Sequence, residues 1–214
     1  MSDRLAKHSD ATVWADAAPE TLRGKSLGLA RLSKPPVDLM ACYCFRSWGA
    51  EDAPLFRHML DDADLWQHMY ETFPGEITTE LAQSLIDLSR QASHHKVRAV
   101  EYRGRVIGQV RMQWETAVTP PQTGEISYWL GREYWGLGLA APMIALFTWR
   151  CLSIFPALST ITARVHRENV PSQRVLTRLG WGKADAQGDW DTFQMHRADG
   201  LDWTSLRKPG ALPD

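Results

Sequence analysis

The hydrophobic positions change period several times along the chain. Residues 39–48, LMACYCFRSW, read as a strand that places Cys42 and Cys44 on one face. Helical spacing follows in SWGAEDAPLFRHMLDDADLWQHM, where Leu55 and Met59, then Leu65, Trp66 and Met69, suit helix packing. A second helical pattern, GEITTELAQSLIDLSRQAS, repeats Ile77, Leu81, Leu85 and Leu88, with Thr78 or Thr79 able to cap its start. The period then falls to two. VRAVEYRGRVIGQVRMQWE predicts two strands around Arg103-Gly104-Arg105. In GEISYWLG, Ile126, Tyr128 and Leu130 alternate against Ser127 and Trp129, which predicts a third. LGLAAPMIALFTWRCLSIF is apolar nearly all round, as a buried helix is. LSTITARVHREN alternates again, and VPSQRVLTRLGW is a short helix that Gly180 can close. KADAQGDWDTFQMHRA reads as a hairpin turning at Gln187-Gly188-Asp189. The order strand, helix, helix, three strands, helix, strand, helix, strands predicts an α/β chain: a mixed sheet with helices on both faces.

Outside this pattern the chain is weakly patterned. Residues 1–38 form an N-terminal extension, in which TLRGKSLGLARLSKPPVDL suggests a strand broken by Pro35-Pro36. Residues 39–200 form the domain, and residues 201–214 a loose tail. Charges nearly cancel, at net −1, so nothing argues for nucleic acid or an anionic membrane surface as partner. There is no apolar run long enough to span a bilayer. MSDRLAKHSDATVWADAAPE has no apolar signal-peptide centre, and the cytoplasm is the expected compartment. Cys42, Cys44 and Cys151 have no metal-ligand spacing and read as reduced, buried small hydrophobes, so no metal is expected. Ten tryptophans are many for 214 residues, and some of them can line a groove.

One stretch carries chemistry. In EYWGLGLAAPM, Gly136 and Gly138 precede an apolar helix. Glycine is a poor helix former, but it bares backbone N–H groups at a helix N-terminus, where an anion binds. A tight turn needs the same glycines. Gly136-x-Gly138-x-x-Ala141 also fits a dinucleotide fingerprint. Against that, the strand ends near Leu130, apparently antiparallel strands precede it, and no acidic residue stands at the expected distance.

Two blocks decide between these readings: EISYWLGREYWGLGLA and ARVHRENVPSQRVLTRLGW, in register with each other. Together they resemble the central motif of the GNAT N-acyltransferases, in the branch of the ribosomal-protein alanine acetyltransferases RimJ and RimL. FRSWGAEDAPLFRHMLDDADLW and VIGQVRM add to the resemblance, which covers about residues 39–197. It implies a mostly antiparallel sheet with a splayed central pair of parallel strands. It also implies acetyl-CoA as co-substrate and a primary amine as acceptor, either a protein N-terminus or a small molecule. Many relatives are dimers, so a homodimer is a possible assembly.

Residue by residue, the resemblance assigns the coenzyme A loop to Glu133 through Gly138, with Glu133 where the family has Arg or Gln. Backbone N–H groups of Trp135, Gly136, Leu137, Gly138, Leu139 and Ala140 would cradle the pyrophosphate. Backbone groups of Trp129, Leu130 and Gly131 would pair with the pantetheine arm. Glu125 matches a general base, the other reading being a strand carboxylate in a structural salt bridge; Asp185 is a weaker candidate, equally read as a solvated loop residue. Asn169 and Ser172 match the branch's asparagine and serine, placed to hold pantetheine or amine and to meet the leaving sulfur; helix capping is the other role open to both. The tyrosine that many members place four residues further on is Leu176 here, which favours Ser172 for that role. Arg174 and Arg178 are candidates for the 3′-phosphate. Trp48, Trp66, Tyr70 and Phe73 fall in the segment that usually walls the acceptor site, although such aromatics equally suit plain packing. The competing reading is a non-catalytic acyl-CoA-binding sensor or interaction module.

Overall fold

A computed structural model describes residues 32–91, 94–115, 121–206 and 209–213. Most of the expected N-terminal extension, with its strand, lies outside the described residues. Seven strands make one sheet: β1 (Tyr43–Arg46), β2 (His95–Tyr102), β3 (Arg105–Gln113), β4 (Thr123–Leu130), β5 (Thr160–His166), β6 (Gly182–Gln187) and β7 (Trp190–His196). Their order is β1-β2-β3-β4-β5-β7-β6. Every neighbouring pair is antiparallel except β4 and β5.

Local chemistry explains the turns. β2 and β3 are joined by Arg103 and Gly104 at φ 51° and 80°, and two successive positive φ values match the right-handed twist of a hairpin. Gly188 opens the β6–β7 turn at φ 57°. Gly108 on β3 allows no side chain, since a Cβ there would stand 2.2 Å from the Trp129 carbonyl oxygen.

The helices are α1 (Val37–Cys42), α2 (Ala53–Leu60), α3 (Ala63–Trp66), α4 (Thr79–Gln91), α5 (Ala140–Ile154) and α6 (Val170–Arg178). Neighbouring strand residues show that they cover both faces. Trp129 packs against Phe56 of α2, with ring centroids 5.9 Å apart, whereas Tyr128 reaches Ser172 of α6. Consecutive side chains of a strand point to opposite faces, so α2 and α6 lie on opposite sides. α5 is buried almost throughout, with Met143, Ile144, Phe147 and Cys151 fully inaccessible. α6 ends as expected: Gly180 has φ 81°, Gly180 N–H donates to Thr177 O and Trp181 N–H to Leu176 O, the paired bonds of a Schellman cap.

Five expectations need correction. The strand over 39–48 is helix as far as Cys42 and strand only from Tyr43. Tyr43 and Phe45 take the core side of β1, so Cys44 is exposed and Cys42 is half-buried. The first helical segment breaks into α2 and α3, because Asp61 and Asp62 turn their carboxylates to backbone N–H groups of Ile77 and Asp64. On α4 the buried residues are Ala82 and Ile86, while Leu88 is 57% exposed. Two residues past Ile86 is about 200° around the helix, which carries Leu88 away from the core. The tail is docked rather than loose. Leu201 is buried, Trp203 Nε1 donates to Ser33 O at 3.1 Å, and Gly210 N–H donates to Leu137 O at 2.8 Å.

Candidate active site

β4 and β5 pair at Thr123↔Thr160, Gly124↔Ile161 and Glu125↔Thr162, and no further. Each then turns to its other neighbour: β4 pairs with β3 as far as Leu130, and β5 with β7 as far as His166. The central parallel pair therefore splays, and backbone groups on the facing edges are left to another partner. This opening, between Ile126–Leu130 and Ala163–His166, is the site's frame.

The loop leaving β4 begins with a 3-10 turn, Arg132–Tyr134, and reaches α5 at Ala140. Gly136 and Gly138 have φ 73° and 74°, a backbone conformation costly for any residue with a Cβ, and no atom lies within 4 Å of where either Cβ would be. The glycines thus set the shape of the loop and also keep the space beside it clear. Two anchors hold it: Tyr43 hydroxyl donates to Leu139 O at 3.0 Å, and Trp135 Nε1 donates to Leu130 O at 2.8 Å. Glu133 is exposed, and its carboxylate oxygen lies 2.9 Å from where a Gly131 Cβ would be. It lines a cavity of about 780 Å3 with Arg57, His58, Met59 and Asp62. Of the groups expected to meet pantetheine, Gly131 N–H is already given to Ile107 O, and Leu130 O accepts from Trp135.

Glu125 is half-buried and held from three directions. Arg164 Nε donates to Oε2 at 2.9 Å, Arg164 Nη2 to Oε1 at 3.1 Å, and Gln113 Nε2 to Oε1 at 3.2 Å. A carboxylate has about four lone-pair sites, so one remains for a water or an amine proton. The Glu125 contact raises the Arg164 guanidinium above its ordinary range. Arg164 also lies 4.9 Å from the centre of the Tyr70 ring.

Asn169 caps α6, its Oδ1 accepting Ser172 N–H at 3.1 Å. Ser172 Oγ is 2.6 Å from the Tyr128 hydroxyl. Burial pushes the Tyr128 phenol up to about 12, against a smaller opposing effect of the Ser172 contact. Leu176 is fully buried and contributes to the core. Tyr128 escaped the reading of the sequence because it occupies an inward position of an ordinary strand pattern. Its partner lies 44 residues on, so no spacing rule reaches it. Arg164 was missed for the same reason.

The expected acceptor wall is only partly open. Trp48 is 1% exposed, wedged between Phe56 and Trp129 with Nε1 on Gln109 Oε1, so it is core. Trp66 and Phe73 are half-buried and packed on each other at 5.8 Å. Tyr70 is 68% exposed and pairs with Trp190 at 5.4 Å. His166 adjoins Trp190, and His68 stacks on His166, so rings from β5, β7 and the segment after α3 continue the Glu125–Arg164 face. Asp185 is exposed on β6 and accepts the neighbouring Ala186 N–H. Arg174 and Arg178 are exposed on α6. Burial raises the Cys151 thiol far above its usual range, which suits an inert core residue.

Comparison with known proteins matches this geometry. A family model described as Acetyltransferase (GNAT) domain matches residues 43–181. Among curated proteins, none matches the sequence. RimJ of Mycobacterium smegmatis, in complex with CoA-disulfide, is similar in structure at TM-score 0.61 and 19% identity, over 72% of this chain and 81% of that one. The microcin self-immunity acetyltransferase MccE, in complex with acetyl-CoA and AMP, is similar at TM-score 0.61 and 14% identity, over 77% and 98%. An acetyl transferase of Salmonella typhimurium that modifies the N-terminal serine of a 50S ribosomal subunit protein is similar at TM-score 0.59 and 15% identity, over 74% and 96%. At these identities the likeness is one of fold. Among the described residues no helix is long and apolar enough to cross a membrane.

Proposed function

We propose a function from one premise: the chain belongs to the GNAT acetyltransferase family, whose domain spans residues 43–181. On this reading it moves an acetyl group from acetyl-CoA to a primary amine, by direct attack in a ternary complex. One observation carries the reading: the opening between β4 and β5 past Glu125↔Thr162, flanked by the Gly136–Gly138 loop and by Ser172. The cleared space at both glycines fits a pyrophosphate approaching the N–H groups from Gly136 to Ala140, ahead of a helix of 15 residues; the Trp135 N–H, expected in the same cradle, is already given to Arg132 O. The exposed edges of β4 and β5 suit an extended pantetheine arm.

Catalysis rests mainly on positioning amine and thioester together. Glu125 accepts the amine proton, directly or through a water, at the lone-pair site that Arg164 and Gln113 leave open. Ser172 lies near the sulfur and faces the departing thiolate. A thiol of pKa about 8.5 leaves readily as thiolate, so a strong acid is unnecessary. The acceptor approaches over the Glu125–Arg164 face and the rings of Tyr70, His166 and Trp190. That face suits either a peptide N-terminus or a small amine.

The test is acetyl transfer itself. Purified protein is incubated with acetyl-CoA and a panel of peptides and small amines, and products are read by mass. Acetylated product with at least one amine class is the expected outcome. Tight acetyl-CoA binding with no transfer across the panel would favour the sensor. No acetyl-CoA binding at all would sink both readings.

A further inference from the structure

The Tyr128–Ser172 contact has a direction that can be worked out. Tyr128 sits on β4 three residues past the last β4–β5 pair, and Ser172 lies in the first turn of the helix that follows β5. Their 2.6 Å contact therefore reaches across the opening, from one splayed strand to the element beyond the other. Either oxygen has a proton to give. Among the described residues, the only hydrogen bond recorded for the Tyr128 hydroxyl is the one to Ser172 Oγ. If Ser172 were the donor, the half-buried phenolic O–H would be left with no acceptor among the described residues. If Tyr128 is the donor, nothing is orphaned, because the Ser172 proton can turn to a third atom. Burial raises the phenol, which stays protonated throughout the neutral range.

We propose that Tyr128 is a positioning residue that donates to Ser172 Oγ and thereby aims the Ser172 O–H at the coenzyme A sulfur in the opening. The inference rests on the acetyl-CoA reading of the site and adds to it a residue that acts through Ser172. In the transfer, the amine nitrogen bonds the acetyl carbon and the carbon–sulfur bond breaks, its electron pair leaving on sulfur. The amine proton goes to Glu125 or solvent, and the Ser172 O–H hydrogen-bonds the thiolate. Net proton donation from Tyr128 is unfavourable: burial raises the phenol above its ordinary pKa of about 10, which is already above that of a thiol at about 8.5. The pair is a donor chain in which each bond polarises the next.

The experiment needs no acceptor. Affinities of free coenzyme A and of acetyl-CoA are measured by calorimetry from about pH 7 to about pH 9.5, a range that spans the free thiol's pKa near 8.5. The proteins are the wild type, Tyr128→Phe, Ser172→Ala and the double variant, with a melting curve for each. A donor aimed at sulfur favours the thiolate and lowers the bound thiol's pKa. Wild-type affinity for coenzyme A then rises with pH and levels off above the free thiol's pKa. A lowering of one pKa unit makes that rise about tenfold. Acetyl-CoA has no thiol to ionise, so it corrects for the phosphates. The expected result is that Tyr128→Phe loses most of the rise while keeping its acetyl-CoA affinity, that Ser172→Ala does the same, and that the double variant is no worse. Tyr128→Phe with an undiminished rise overturns the inference but leaves the acetyl-CoA reading standing. Equal loss of both affinities at every pH also overturns it, since that reports a packing role. A wild type that binds neither molecule overturns the inference together with the function beneath it.

Discussion

Replacing Gly138 with alanine separates the two jobs assigned to it. At φ 74° an added Cβ costs about 1–2 kcal/mol of backbone strain. The stiffer unfolded chain returns roughly 0.4–1 kcal/mol of that. No atom lies within 4 Å of the new Cβ, so no clash adds to the sum. The net loss is about 1 kcal/mol, a fall in melting temperature of about 2–4 °C for a chain of this size. The second effect appears only with ligand. Acetyl-CoA at about 100 times its dissociation constant stabilises the wild type by about 2.7 kcal/mol. If the methyl group intrudes where the pyrophosphate sits and affinity falls tenfold, the same concentration gives only about 1.4 kcal/mol. The assay is thermal unfolding of both proteins with and without acetyl-CoA. Gly138→Ala should lose a few degrees unliganded and about half of the ligand-induced rise. Retention of the full rise, with only the unliganded loss, would refute the cradle and leave Gly138 as a turn residue.

Four further outcomes are expected. Glu125→Gln keeps the shape but loses the charge opposite Arg164; because the pair is partly exposed, stability should change by less than about 1 kcal/mol, while turnover with any accepted amine falls tenfold or more and moves to higher pH, as followed by thiol release. Cutting the chain after Leu206 removes the Gly210 N–H bond to Leu137 O, and the apparent KM for acetyl-CoA should rise more than kcat falls. Arg46 and the Gly49 N–H hold the Asp52 carboxyl below its ordinary value, so its contribution to stability is complete above about pH 5 and is lost as pH falls through the lowered pKa; Asp52→Asn should flatten that part of the acid-denaturation curve. Arg197, 8% exposed, donates to Leu152 O in the last turn of α5 and to Phe155 O and Leu158 O beyond it, and Arg197→Met should cost on the order of 3 kcal/mol in denaturant titration, a change under 1 kcal/mol arguing that water replaces it.

Periodicity and end signals on their own determined most of the elements. The alternation in β2, β3 and β4, the all-round apolar α5 and the Gly180 cap are short-range facts of the chain, so they survive folding unchanged. The glycine loop was legible for the same reason: a positive φ is a property of one residue and its neighbours. Helix breaks were harder. Asp61 and Asp62 look like any solvated pair until Ile77 arrives to take the first, and only packing told Ala82 and Ile86 from Leu88. The site's chemistry depended on tertiary structure most of all. Trp48 could have walled the acceptor or packed inside, and it is core, because whether an aromatic lines a groove or fills one depends on the elements placed over it. Glu125 became a carboxylate with one free site only when Arg164, 39 residues away, met it across the parallel strands. Tyr128 became a partner of Ser172 only when the sheet splayed and α6 folded back over β4. The sequence determines what each residue can do over a few neighbours; hydrogen-bond partners far along the chain are chosen by the fold, because only the fold sets their distance.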